Sequence, residues 1–370
     1  MIEVVDNLNT LRQMEEEWCV VVQPTRNPLL QFDWFLTSAE AFSPDEKLHI
    51  LISRSNGRIN AIAPLAQVKG PVGSYLEVLG ARILCEPTDF IYTDDNGLHD
   101  LIAHIVQMRK PTFFRRFDLD SRASGMLVEQ SKPRFLFRKP SASPWIPITQ
   151  SWAEYEKKMS SRDRYTVRRC RKRAEERGPV QLEVFSPGVG DVPRYMEDIF
   201  RVESLSWKER AGTGMKMTTN LGRFFYNYAL TAASKNMLRL SLLRINSDIV
   251  AFEFSVVYAN RFWVLKIGFD ESFAHCSPGT LLMHETIRYA FDQKLETFEL
   301  LGTDEPWLHM WTDEIHRYMS LHLYPVSAGG VMNLIGDASG YIGRRIPPPK
   351  DLLGVLSKKA GKGIKAKQPA

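Results

Sequence analysis

The segment Ser277-Pro278-Gly279-Thr280 follows an apolar run, Arg261 to Gly268, and opens a stretch where Met283, Ile287, Ala290 and Phe291 recur at i, i+4, i+7 and i+8. That spacing predicts a helix with its apolar face turned inward. Ser277 suits the N-cap and Pro278 the first helical position, where a missing N–H costs nothing. Gly279 leaves the first-turn N–H groups open to a ligand. Such a helix start favours a pyrophosphate through its free donors and its dipole, so strand, loop, Gly and helix together suit coenzyme A. The plain alternative is a helix start that binds nothing. A second candidate anion site is the predicted helix Ser160 to Arg177, with Arg162, Arg164, Arg168, Arg169, Arg171, Lys172, Arg173 and Arg177. Guanidinium groups hold phosphate oxygens by paired donors, and Arg164 and Arg168 share one side at i, i+4; a solvated face is the alternative.

The elements that must position these residues form a repeat. Leu48 to Ser53, the turn Ser55-Asn56-Gly57-Arg58, and Ile59 to Val68 predict a hairpin, and Leu238 to Ile245, Asn246-Ser247-Asp248, and Ile249 to Tyr258 predict another. A strand (Tyr75 to Leu79; Arg261 to Ile267), a helix (Leu98 to Met108; Leu281 to Phe291) and a further strand (Phe113 to Leu119; Thr297 to Leu301) follow in each case. The order implies a duplicated α+β unit. In the first half, Thr93-Asp94-Asp95-Asn96-Gly97 precedes the helix with carboxylates that repel phosphate, so only the second half suits the cofactor. The Ser- and Pro-rich Ser141 to Pro147 reads as a linker, giving a cofactor-free half over 1–143, a cofactor-binding half over 144–328 and a flexible basic tail over 329–370.

Bulk properties narrow the class. A chain of 370 residues exceeds one ordinary core, and 44% apolar with 25% charged residues is a globular balance. The net charge of +5 is too small for a nucleic-acid-binding footprint over the whole molecule, so no DNA partner is expected. The start Met1-Ile2-Glu3-Val4-Val5-Asp6 lacks a secretory pattern, which places the chain in the cytosol. Cys19, Cys85, Cys170 and Cys276 have no zinc-like spacing and read as free thiols, with no metal. The Lys-rich sequence from Arg344 to Ala370 is either a solubilising terminus or a means of contact with anionic lipid at the inner membrane.

Gly268-Phe269-Asp270, Ser277-Pro278-Gly279, Leu281-Leu282, Ser206-Trp207-Lys208 and Leu301-Gly302-Thr303-Asp304-Glu305-Pro306 resemble the CelD-like branch of the GNAT acetyltransferases. Gln31-Phe32-Asp33-Trp34-Phe35, Ala61-Ile62-Ala63-Pro64-Leu65 and Asp89-Phe90 resemble that branch's N-terminal half. The resemblance runs from Asn27 to Pro325 and extends to the Fem peptidoglycan aminoacyltransferases. It implies two tandem GNAT-like domains, each a mixed, mainly antiparallel sheet flanked by helices. It further implies acyl transfer from acetyl-CoA or another acyl-CoA to an amine or hydroxyl of a sugar-related or other small acceptor, in pathways such as surface polysaccharide biosynthesis. Ile267 and Gly268 then join Ser277, Pro278, Gly279 and Thr280 as cofactor contacts, and main chain near Lys266 to Phe269 supplies the oxyanion donor. Trp307-Leu308 departs from the family's usual aromatic and basic pair.

Thioester chemistry needs an acceptor held in line and help in removing its proton. Glu203, Asp304 and Asp270 are the candidate bases, with His275 a weaker one; each is also an ordinary surface or capping residue. Trp207, Lys208, Arg164, Arg168 and Asp89 are the candidate acceptor contacts. Two other readings stand beside this one: aminoacyl transfer from charged tRNA, and a non-catalytic partner of a polysaccharide synthase.

Overall fold

The computed structural model describes residues 2–131, 135–206 and 214–345. Its strands begin with β1 (Ile2–Val5), β2 (Glu46–Leu48), β3 (Ile50–Ser55), β4 (Arg58–Ala63), β5 (Leu65–Gly70), β6 (Gly73–Val78), β7 (Ile91–Tyr92) and β8 (Thr112–Asp118). They continue with β9 (Phe135–Pro147), β10 (Val180–Phe185), β11 (Leu238–Ile245), β12 (Asp248–Tyr258), β13 (Arg261–Phe269), β14 (Thr297–Glu299) and β15 (Ile315–Tyr324). The fold is α+β, with mixed, mainly antiparallel sheets flanked by helices, as the sequence implied.

Asn56 and Asn246 turn the two expected hairpins with left-handed backbones, φ 51° and 58°. Asn tolerates that region better than most residues because its short side chain can bond locally. Each hairpin also carries a bulge at the same place. Ser53 faces Ala61 but Arg54 faces Ile59; Leu243 faces Ala251 but Arg244 faces Ile249. Asn60 and Val250 are the extra residues, so the repeat extends to a backbone irregularity. The apolar run Ile59 to Val68 is two strands rather than one, because Pro64 interrupts it and sends β4 and β5 to different sheets.

β1, β3, β4 and β7 form one sheet, and the rest form an eleven-stranded sheet in the order β10-β11-β12-β13-β14-β9-β15-β8-β6-β5-β2. Its centre is nearly symmetric: β13 and β14 are parallel, β8 and β6 are parallel, and β9 and β15 lie antiparallel between those pairs. The halves exchange their last strands, since β9 borders β14 and β15 borders β8.

This arrangement corrects the expected linker at Ser141 to Pro147, which is the end of β9, with Trp145 to Pro147 paired to β14 and Ser141 to Pro144 to β15. The prolines misled because Pro is rare inside sheets. Here Trp145 donates its N–H to Glu314 on the β15 side, at 3.1 Å. By alternation the nitrogens of Pro140 and Pro144 point to the opposite edge, which β14 covers only from Trp145 onward. The tail is corrected in part too. Residues 329–345 belong to the helix Ala328–Arg345, which lies on β6 and β15, and residues 346–370 are outside the described ones.

The halves also share side chains. Trp34, in the helix Phe32–Phe42, meets Phe224 and Tyr228 of the helix Asn220–Ser234 edge-on, with ring centroids 4.9 and 5.2 Å apart. A second core lies beneath the helix Pro278–Asp292, where Met283, Ile287, Ala290 and Phe291 are all buried. Val167, Cys170 and Ala174 of the basic helix Ser161–Glu175 pack there as well, leaving Arg162, Arg168 and Arg169 exposed.

Candidate active site

β13 and β14 run side by side only for Arg261 to Trp263 against Thr297 to Glu299. β13 then continues to Phe269, while the chain after β14 turns away through Leu301 and Gly302, both with positive φ. β13 also carries a bulge, since Phe254 faces Lys266 and Ser255 faces Val264, leaving Leu265 extra. Parting and bulge together open main chain at the end of β13, as bulges beside functional sites commonly do.

A cavity of about 400 Å³ lies at this end of β13, lined by Phe252, Ile267, Phe269, Leu282 and Met283 and, at its polar end, by Ser277, Gly279 and Thr280. Half-exposed Trp307 forms part of its rim. The structure thus brings Ile267, Gly268, Ser277, Gly279 and Thr280 around one space; Pro278 is buried in the first turn behind it. Ser277 differs from the expected N-cap: its backbone is left-handed, at φ 48°, and its side chain makes no capping bond. The preceding 3-10 turn, Glu271–Cys276, forces this conformation as it hands the chain to the helix. A Cβ on Gly279 would meet nothing nearer than Phe269 Cδ1, 3.9 Å away, so the first turn is open on that side.

Gly268 is constrained instead. A Cβ there would lie 2.5 Å from Phe252 and 2.6 Å from Glu203 Oε2. Glu203, near the end of the helix Val192–Ser204, is fully buried against this point, with Lys266 Nζ 3.4 Å from its carboxylate. Ser206, whose hydroxyl donates to the Glu203 carbonyl at 2.8 Å, lines the cavity. The acid is thereby held at the back of the β13 edge.

The other carboxylates are placed differently. Asp270 accepts from the Ser272 N–H at 2.9 Å and caps the 3-10 turn. Asp304 lies outside the cavity lining, 3.3 Å from His309 Nε2. His275 is exposed, its ring nitrogen 3.2 Å from Cys276 Sγ.

Arg164 donates to the carbonyls of Glu156, Lys157 and Met159 and so closes the end of the helix Trp152–Lys158. All three bonds come from one guanidinium nitrogen, Nη1. Arg168 is exposed, and Trp207 and Lys208 lie outside the described residues.

Asp89 sits in a separate cleft of about 400 Å³ between the halves, together with Asp118, Trp263, Glu299, His316 and Tyr318. Burial pushes its carboxyl up to about 7, with the charge of Asp118 adding to the rise and the bonds from Phe90 N–H and Ser121 opposing it. Trp263, on β13, forms part of this cleft, so one strand borders both spaces.

Sequence reasoning missed Glu253. It is buried on β12 opposite Ile267 and lines the cavity. Its carboxyl accepts from Ser255 at 3.0 Å and Thr286 at 3.2 Å. Burial nonetheless pushes it up to about 8. The available signal was a lone carboxylate inside the apolar run Ile249 to Val257.

Residues 161–308 match the family model described as an acetyltransferase (GNAT) domain. No curated protein matches the chain. Among solved structures, the DUF2156 domain assigned to a lysylphosphatidylglycerol synthetase of Agrobacterium fabrum is similar at TM-score 0.56 and 14% identity, over 89% of this chain and 96% of that one. FemX is similar at TM-score 0.52 and 12% identity, over 88% and 97%. A Bacteroides thetaiotaomicron protein of unknown function has the same score and identity, over 87% and 99%. At such identities the likeness is one of fold. The second half of the chain is thus similar to GNAT acetyltransferase domains, and the whole shares its fold with FemX.

Proposed function

We propose that the chain is an acyltransferase of the CelD-like GNAT branch, moving an acyl group, acetyl by preference, from acyl-CoA to an amine or hydroxyl of a sugar-related small acceptor. One observation carries this reading: an apolar cavity at the parted end of β13 runs up to the open helix start at Gly279. Its shape and chemistry fit a thioester arm with a pyrophosphate at its end. Gly279 would meet the pyrophosphate through its main-chain N–H, the Thr280 N–H being turned to the Ser277 carbonyl at 3.0 Å, and Ile267 and Gly268 would offer strand edge to the arm. In the first half the corresponding position is filled by the protein itself, because Asp94 accepts from the Gly97 N–H at 2.7 Å. Among the described residues, the helix start at Gly279 is the cofactor position this reading uses.

Glu203 is the base best supported. Asp270 is committed to a cap and Asp304 lies beside His309; Glu203, also outside the cavity lining, meets β13 from behind at Gly268. Main chain between Lys266 and Phe269 would supply the oxyanion donor. The cleft between the halves, with its carboxylates and aromatic side chains around Asp89, suits a hydroxyl- and amine-bearing acceptor. Surface polysaccharide biosynthesis on the cytoplasmic side is the corresponding setting. The exposed arginines of the basic helix favour, as the second reading, a charged-tRNA donor.

The test is turnover of acetyl-CoA with a panel of amino sugars and nucleotide sugars, followed as free thiol released. Thiol release that depends on one acceptor supports the proposal. Absence of turnover, together with binding of charged tRNA that weakens steeply with salt, supports the second reading.

A further inference from the structure

The helix Ala328–Arg345 is seated by small residues. A Cβ on Gly336 would lie 2.5 Å from Val72, and Asn333 is buried and donates to the Gly329 carbonyl at 3.0 Å. Its outer side is apolar. Val331 and Met332 are 51% and 50% exposed, and nearby Val326 and Val72 are 86% and 38% exposed. Exposed apolar groups gathered in this way mark a contact surface rather than ordinary solvent-facing scatter.

Beside this patch is a cavity of about 260 Å³ lined by Arg109, Lys110, Ser74, Gln67, Ser327 and Asn333. Ser327 joins the two features: its hydroxyl donates to the Arg109 carbonyl at 3.3 Å and accepts from the Gly330 N–H at 3.1 Å. Lys69 adds a further exposed cation on β5. Asp337, on the same helix, is engaged by His322 and Tyr324. From Arg344 onward the sequence holds eight basic residues against one acid, Asp351.

We propose that this seam between the C-terminal helix and the β5–β6 end docks on a membrane bearing anionic phospholipid. A headgroup phosphate meets Arg109 and Lys110, and Val331 and Met332 enter the boundary between headgroups and acyl chains. The pairing of an apolar helix face with flanking cations is the chemistry of interfacial binding. The inference is independent of the acyl-transfer reading, since it concerns a different surface.

Flotation of the full chain with vesicles of phosphatidylcholine alone, and of phosphatidylcholine mixed equally with phosphatidylglycerol, tests it. Binding to the mixed vesicles only is expected. Arg109→Gln with Lys110→Gln should lower partitioning about thirtyfold, from roughly 1 kcal/mol for each basic residue. Val331→Asp with Met332→Asp should lower it by about tenfold or more through lost apolar burial, with an unchanged melting temperature. If the aspartates lower the melting temperature, Val331→Ser with Met332→Gln takes their place. Equal binding to neutral vesicles, no binding to either, or wild-type partitioning in the Val331/Met332 variants would overturn the proposal. The last outcome would assign the attraction to the Lys-rich sequence alone.

Discussion

Lys266 Nζ lies 3.4 Å from the carboxylate of Glu203, beside the one position on β13, Gly268, where no side chain intervenes. A buried ion pair at a strand edge is weak evidence for stability, because desolvation offsets much of its attraction. Breaking it is another matter. Glu203→Gln leaves a largely buried ammonium without its counter-charge and should cost about 3 kcal/mol in urea unfolding. If Glu203 is the base, turnover should fall about a hundredfold as well. Adding Lys266→Met should restore much of the stability but none of the rate. Recovery of both would make the pair structural only.

Gly268→Ala places a methyl against Phe252 and Glu203. Overpacking of this kind costs about 1–3 kcal/mol. Because the same strand edge borders the cavity, acyl-CoA affinity should fall with stability; urea midpoints and titration check the two effects separately. Unchanged values for both would mean that the strand can shift away at little cost.

Glu253 supplies a pH dependence. Its carboxyl is raised from 4.5 to about 8, so between those values the folded chain holds a proton that the unfolded chain has lost. Stability from this group is therefore complete below pH 4.5 and declines as pH rises toward 8, by about 1.4 kcal/mol per unit. Glu46, Glu86 and Asp89, each raised to about 7 chiefly by burial, act in the same direction. Melting temperature should fall from mildly acid to mildly alkaline pH, and Glu253→Gln should flatten part of that fall. A melting curve that rises over this range would contradict the assignment.

Arg164→Ala removes the donor to three carbonyls at the end of the helix Trp152–Lys158 and should lower stability by about 1–3 kcal/mol. Acceptor KM should not move. Exposed Arg168→Ala should change neither. A raised KM in either variant would return the basic helix to the acceptor site.

The sequence made the repeat legible because turn chemistry is local: Asn at a positive-φ corner followed by Ile and Ala appears twice, and the paired bulges follow from it. The helix start at Gly279 was legible for the same reason, through Pro, Gly and apolar spacing. What escaped depends on distant partners. Pro144 looked like a breaker until β14 proved too short to call for an N–H at that position. Arg164 looked free because the carbonyls that hold it belong to the preceding helix. Glu253 and Lys266 gained importance only when helices covered the two faces of β12 and β13, which periodicity cannot pair.

The most direct test of the central claim is calorimetric titration of the wild-type chain and Gly279→Asp with acetyl-CoA. The open first turn leaves space for the new side chain, so folding should persist, while its charge and bulk abolish binding. Saturable one-site binding to wild type, lost in a folded Gly279→Asp variant, is the expected result. Equal affinity in both proteins, or none in either, would contradict the assignment of this helix start as the acyl-CoA site.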